Sequence, residues 1–440
     1  MFRSTKRLAT QLLLLLISGG YRPVLAHEAL GAFSNSRSGE LVKKSRDLGN
    51  FVSFGELRQA GFTDEQMKMF QELSEYIEEE YVDPVQRKKL YYGAVRGMIK
   101  QLDPNSVFYT PEEYQGALAR MEKDFSGIGE ILRPKDRGEL AVVDLVLPGS
   151  PAERAGLGKG DKILAIDEQD VRAMSFEEAL GKLRGEPGTK VDLRVLRGEA
   201  GFEIAVVRDS VAIPTMRGEM LAPDVGYIQI ESFRPNSYEI FLGELGRLQI
   251  QGMRRLVVDL RKNNGGYLSS VVNICSLFLK KGQLIVSEYR KGRRTGEYSA
   301  ETDGRYGDLP LIVLVDGGTL SAGEIFAGVM QDYRRAPLVG SKTYGKGTVQ
   351  DILNRFGDGS ALKLTTGEYY LPSGRSIDRT LVGRQGGLDP DVAVPLSSET
   401  DQTLAAGLRM KLMGVSKSWP AADDLALERA LDILASQGGR

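Results

Sequence analysis

Three short segments hold the residues whose types and spacing could do chemistry. In "DLRKNNGGYL" an apolar strand breaks at Asp259 into a polar loop with adjacent Gly265 and Gly266, and a helix follows. Backbone N–H groups at such a turn can stabilise an oxyanion, although adjacent glycines also simply end strands. In "VDGGTLSAGEIFAGVMQDY" a buried strand ends at Asp316 and Ser321 stands at the start of a helix. There the helix N-terminus offers partial positive charge, and the N–H of Ala322 can donate to a developing oxyanion. Ser321 and Glu324 also read as an "SxxE" capping box, a purely structural role. In "VGSKTYGKGTVQDI" Lys346 lies between Gly345 and Gly347, with Gln350 four residues on. In a strand, Lys346, Thr348 and Gln350 share one face. A lysine acts as a base only when neutral, which requires a desolvated site. Gln350 could hold such an amine without adding an anion that favours the ammonium form. The plain alternative is a surface lysine in a glycine turn.

Composition sharpens the choice. The chain has 440 residues, 58 Lys and Arg against 59 Asp and Glu, one cysteine and one histidine, His27. With 41% hydrophobic and 27% charged residues it has the balance of a soluble globular protein, long enough for two to four domains. The charge balance argues against a nucleic-acid binder. One cysteine excludes an internal disulfide framework and a CxxC site. One histidine near the N-terminus excludes the Ser-His-Asp, Cys-His and HExxH hydrolases. A serine hydrolase on this chain needs a lysine base.

The elements that must position these residues follow from periodicity. Arg3, Lys6 and Arg7 precede the apolar run Leu12 to Ile17, and "VLA" ends at Ala26. Residues 1–26 therefore read as a secretory signal peptide, and the mature protein is expected to be exported, periplasmic or secreted. Residues 27–52 read as a flexible polar leader. Residues 53–124 read as a helical module in which nothing suggests chemistry, with a helix from Thr63 or Asp64 and Pro111 at a first helical position. Residues 125–208 change to short strands punctuated by glycine. "FSGIGEIL", "SPAERAGLGKGDKILAID" and a later helix and strand resemble a PDZ domain. The N–H groups of Gly127, Ile128 and Gly129 could form a nest for a peptide's terminal carboxylate, and the strand that follows could accept the peptide as an added strand. Residues 209–395 alternate strands ("VGYIQI", "RRLVVDLR", "LPLIVLVDG") with helices as in an α/β domain. Cys275 falls on an apolar helix face, a packing position. Arg290 to Arg294 read as a solvated hairpin tip, and residues 396–440 as a helical tail containing "DDLALERALDILAS".

Together, the pieces resemble the C-terminal processing peptidases, the Ser-Lys carboxyl-terminal proteases. The resemblance runs through "YIEEEYVDP", "GAVRGMIKQLDPNSVFYTPEEY", the PDZ pieces, "DLRKNNGG", "SAGEI", "GKGTVQ" and "YYLPSGRSID". It implies an α/β, multidomain α+β architecture: a crotonase-like protease core, a PDZ domain and an N-terminal helical module. It also implies Ser321 as nucleophile, Lys346 as general base and Gln350 orienting the lysine. The N–H of Ala322, with one from Gly265 or Gly266, would form the oxyanion hole. The substrate would be a protein bound by its C-terminus, with no metal or organic cofactor, and an adaptor or activator protein and a homo-oligomer are compatible with it. The sequence departs from the family pattern at "TLSAGE", where Leu320 and Gly323 replace alanine and serine. Asn105 stands where histidine is common, and Asn264 where proline is. The rival readings are a silent PDZ adaptor and another hydrolase on a crotonase-like core.

Overall fold

A computed structural model describes residues 63–121, 125–211, 214–380, 386–395, 397–416 and 423–437. The expected signal peptide, leader and His27 lie outside the described residues. The described residues fall into two units, divided between Tyr91 and Tyr92.

In the first unit, Asp64–Glu80 is a helix because Thr63 caps it. The Thr63 hydroxyl accepts the Gln66 N–H at 3.2 Å and Gln66 Oε1 accepts that of Thr63 at 2.9 Å, a reciprocal capping box. The apolar spacing of Met67, Phe70 and Leu73 makes a stripe along this helix, yet none of its residues is buried.

The second unit contains two structural cores. The PDZ-like segment is a sheet in the order Glu130–Leu132, Ala141–Val146, Lys162–Ile166, Lys190–Arg197, Ala200–Val207, with Gln169–Asp170 beside the third strand. Its strands alternate buried and exposed residues, as in Val191, Leu193 and Val195 inward with Asp192 and Arg194 outward. The helix Phe176–Leu183 covers it, capped by Ser175 and Glu178.

The protease-like core is a six-stranded sheet ordered Met216–Ala222, Val225–Ile230, Arg255–Asp259, Leu311–Val315, Leu338–Gly340, Val392–Ala393. Only the first pair is antiparallel. A parallel sheet must be covered on both faces, and its strands read as continuous apolar runs. Val225–Ile230 and Leu311–Val315 are accordingly buried at every residue. Ile228, Val258 and Val313 face the helices Ser237–Ile250, Leu268–Ser276 and Ala322–Asp332, while Tyr227, Val257 and Ile312 face the tail helix Leu425–Gln437. Cys275 is fully buried among the first group.

Two elements were not read from the sequence. The first is the helix Ser398–Leu412, capped by Ser397, whose Lys411 pairs with Glu219 at 2.7 Å. Its C-terminal end reaches the PDZ-like segment, where Met413 packs with Leu145, Leu147 and Val211. The second is an antiparallel sheet in the order Val107–Tyr109, Ala361–Tyr370, Leu284–Arg290, Arg293–Ser299, with Thr348–Leu353 also paired to Ala361–Tyr370. The segment read as a helical module thus also supplies a strand, Val107–Tyr109. The basic hairpin turns at Lys291 and Gly292 as expected, but Arg290 is half-buried against Asp351 and Glu288 rather than solvated.

The tail helix is fastened by buried charge. Asp259 accepts from the Arg261 guanidinium and from the Tyr227 hydroxyl, and Arg261 also reaches both oxygens of Asp424 at the start of the tail helix. Burial opposes the charge on Arg261, but the two carboxylates outweigh it and hold the guanidinium charged. Removing one partner of such a network leaves charge uncompensated. Asp424→Ala is expected to lose about 3 kcal/mol of stability in a urea titration. Loss below ~0.5 kcal/mol would contradict this reading.

Candidate active site

The sheet delivers three loops to one end. Each leaves the C-terminal end of a parallel strand, where α/β sheets place their ligands. The first loop follows Arg255–Asp259 and carries the glycine turn. Asn263 organises it: its side-chain nitrogen donates to Ile230 O at 2.8 Å and its Oδ1 accepts the Gly265 N–H at 2.9 Å. Its main-chain oxygen accepts the Leu320 N–H at 3.0 Å, tying this loop to the serine loop.

The second loop follows Leu311–Val315. Asp316 N–H donates to Thr319 Oγ1 at 3.0 Å, and that hydroxyl donates to Leu260 O at 2.7 Å. Ser321 then adopts φ 57° and ψ −118°, a left-handed conformation that costs a non-glycine residue free energy and persists only where its surroundings impose it. The helix it opens is buried from Ala322 to Met330. Gly265 is pressed against this serine: a Cβ there would lie 2.7 Å from Ser321 Cβ and 3.1 Å from its Oγ. Any side chain at 265 would displace the hydroxyl. Gly323 is similarly confined, because a Cβ there would meet Asn263 Oδ1 at 2.7 Å.

The third loop leaves Leu338–Gly340 and runs through Lys346 into Thr348–Leu353, so the lysine stands where the parallel sheet passes into the antiparallel one. Two carboxylates hold its backbone. Glu324, fully buried, accepts four hydrogen bonds: Thr343 Oγ1 at 2.6 Å, Gly345 N at 2.7 Å, Lys346 N at 2.8 Å and Ser321 N at 2.9 Å. Asp378, from the "YYLPSGRSID" segment, accepts the Gly347 N–H at 2.9 Å. The sequence marked Glu324 only as a capping residue. It does reach the serine N–H, but it also ties the serine loop to the lysine loop. Burial raises its carboxyl pKa against the pull of those four donors.

The surroundings of Lys346 lower its pKa from the ordinary lysine value. Burial lowers its pKa most, the charge of Lys363 lowers it further, and Asp378 and Glu324 oppose both. Gln350 does not bond the lysine; its amide nitrogen donates to Thr348 Oγ1 at 2.8 Å. Of the two candidate oxyanion glycines, Gly265 has its N–H committed to Asn263. Among the described residues no acceptor takes the N–H of Gly266 or of Ala322. The sequence reading assigned no role to Asn263 or Asp378, and it placed Thr348 on the face of Lys346 without giving it one. For Asp378 one signal existed: a glycine-flanked lysine exposes successive N–H groups that a buried loop must pair.

Comparisons with known proteins identify the domains and the family. Residues 224–394 match peptidase family S41, residues 142–197 a PDZ domain, and residues 34–113 the N-terminal domain of the activating protease CtpB. The chain is 32% identical to the carboxy-terminal processing protease CtpA of Bacillus subtilis (strain 168), over 86% of this chain and 78% of that protein. It is 34% identical to the carboxyl-terminal-processing protease of Picosynechococcus sp., over 81% and 91% respectively. The chain belongs to the C-terminal processing proteases. Among solved structures, the photosystem II D1 C-terminal processing protease is 26% identical, with a TM-score of 0.46 over 82% of this chain and 99% of that one. As in that family, the fold joins a mixed helix-and-sheet protease core to a PDZ domain.

In the PDZ domain of this C-terminal processing protease, Gly127 closes a short ladder with Asp209, Ile128 is fully buried and Gly129 has φ 85°. The Ile128 and Gly129 carbonyls are taken by Ala152 and Leu147, and among the described residues nothing accepts their N–H groups. Among the described residues the strand Glu130–Leu132 pairs only with Ala141–Val146, on one of its two edges. Both Glu130 carboxylate oxygens are buried without a hydrogen-bond partner, and burial pushes its pKa up to about 7.

Two predictions follow from these charges. Lys363→Gln removes a positive neighbour of Lys346, so the lysine pKa rises and the acid limb of the pH–rate profile moves to higher pH; an unmoved limb would refute the coupling. For Glu130, the folded pKa lies above the unfolded one, so its contribution is complete below about pH 4 and is lost as pH rises through 7. Glu130→Gln should therefore be more stable than wild type at pH 8.5 by up to ~3 kcal/mol, with the gap closing below about pH 5, as followed by thermal melting across pH.

Proposed function

We propose that the chain is an exported serine endopeptidase that cleaves proteins near their C-termini through Ser321 and Lys346. The observation that carries this reading is the Glu324 carboxylate, which accepts the N–H groups of both Ser321 and Lys346 and so holds the two loops in one register. Export is supported by the basic residues and apolar run of residues 1–26.

The geometry suits acyl transfer. Lys346, its pKa lowered by burial, takes the Ser321 hydroxyl proton in its neutral form as Oγ attacks the scissile carbonyl. The negative charge that develops on the carbonyl oxygen meets the N–H groups of Ala322 and Gly266 at the positive end of a buried helix. Collapse of the tetrahedral intermediate breaks the C–N bond, and the departing amine receives the proton from the lysine. Water then repeats the sequence on the acyl-enzyme. The PDZ domain takes the substrate's terminal carboxylate at Gly127, Ile128 and Gly129 and its last residues along the edge of Glu130–Leu132.

The test uses purified wild type, Ser321→Ala and Lys346→Ala with an unfolded protein substrate and its C-terminally amidated twin. Both variants should lose about three orders of magnitude or more in kcat while melting like wild type. Amidation should raise KM for wild type. Cleavage by Ser321→Ala at the wild-type rate would refute the nucleophile, and indifference to amidation would refute carboxylate capture.

A further inference from the structure

The lysine has its backbone fixed at three successive N–H groups, but among the described residues its Nζ makes no hydrogen bond or ion pair. A neutral amine can act as a base only if its single lone pair points at the serine. Something must therefore bind the amine's N–H groups and leave that lone pair free. A carboxylate would do so at the cost of stabilising the ammonium form. A neutral acceptor would not carry that penalty.

Thr348 is placed for this. It is buried, and it stands two residues beyond Lys346. Between them, Gly347 donates its N–H to Asp378 and accepts the Tyr369 N–H at 2.7 Å, so the antiparallel ladder continues back through Gly347. Extended backbone puts the side chains of residues 346 and 348 on one face. The Thr348 hydroxyl oxygen accepts the Gln350 amide at 2.8 Å, while the Asn105 amide lies at the limit of hydrogen-bond range, 3.4 Å. One lone pair is firmly committed and the second only loosely held. The β-branched side chain has few rotamers, and Gln350 fixes the one it adopts.

We infer that Thr348 is a positioning residue for the base: its hydroxyl oxygen accepts an N–H of the Lys346 amine and turns the nitrogen lone pair toward Ser321 Oγ. Gln350 then acts through the threonine, and the turn carrying Asn105 bears on the same oxygen. The inference rests on Ser321 and Lys346 being nucleophile and base.

The experiment compares wild type, Thr348→Val and Thr348→Ser on a peptide substrate across pH 6–10, with Ser321→Ala and Lys346→Ala as controls. A hydroxyl acceptor stabilises the ammonium more than the amine, so its loss lowers the lysine pKa while leaving the lone pair misaimed. Thr348→Val should lose about ten- to a hundredfold in kcat with KM within about twofold, and its acid limb should move to lower pH. Thr348→Ser should restore both rate and limb. If Thr348→Val does not melt cooperatively, Thr348→Ala, which adds no bulk, is read in the same way. An unmoved acid limb, or a Thr348→Ser enzyme no better than Thr348→Val, would overturn the inference. Inactive controls beside an unaltered Thr348→Val would overturn it alone, whereas active controls would overturn the Ser-Lys reading itself.

Discussion

The site depends on one buried carboxylate. Glu324 comes from the first turn of the serine helix, yet three of its four donors, Thr343, Gly345 and Lys346, belong to a loop 19 to 22 residues away. A carboxylate removed from water is costly unless every lone pair is met, and here four donors meet it. Neither loop can therefore drift without leaving a buried charge unpaired. Glu324 and the backbone hydrogen bond from the Tyr344 N–H to the Thr319 carbonyl, 3.0 Å, together fix the distance between the two segments.

The same logic explains the strained serine. Its φ of 57° is held from three sides: Glu324 on its N–H, Asn263 on the preceding residue and Gly265 against its side chain. Glu324 belongs to the serine's own helix, while Asn263 and Gly265 come from the loop after Arg255–Asp259. Backbone strain of this kind persists where surrounding structure over-determines a conformation.

Much of this could be read from residue types and spacing. The strand–turn–helix pattern around Ser321, the glycines flanking Lys346 and the lone histidine pointed to the chemistry, and the capping motifs at Thr63 and Ser175 marked helices that form. What escaped the reading is what operates at long range. Glu324 looks like an ordinary helix cap because its near partner, Ser321, is three residues away and its far partners are not. Asp378 and Asn105 reach the lysine segment only after two sheets are assembled. The helix Ser398–Leu412 was overlooked although Leu404, Leu408 and Leu412 repeat every four residues, since polar residues between them mask the stripe. The resemblance implied that Gln350 orients the lysine, but its amide donates to the threonine between them.

Cys275 carries a practical consequence. Its sulfur is fully buried between the sheet and its covering helices, and burial drives the thiol pKa far above its ordinary value. Thiolate is the reactive species, so the folded chain presents no nucleophilic sulfur to an alkylating reagent. Unfolding exposes it. The single thiol is thus an internal clock for opening of the protease core: the rate at which a maleimide consumes it measures how often that core comes apart, independently of any activity assay.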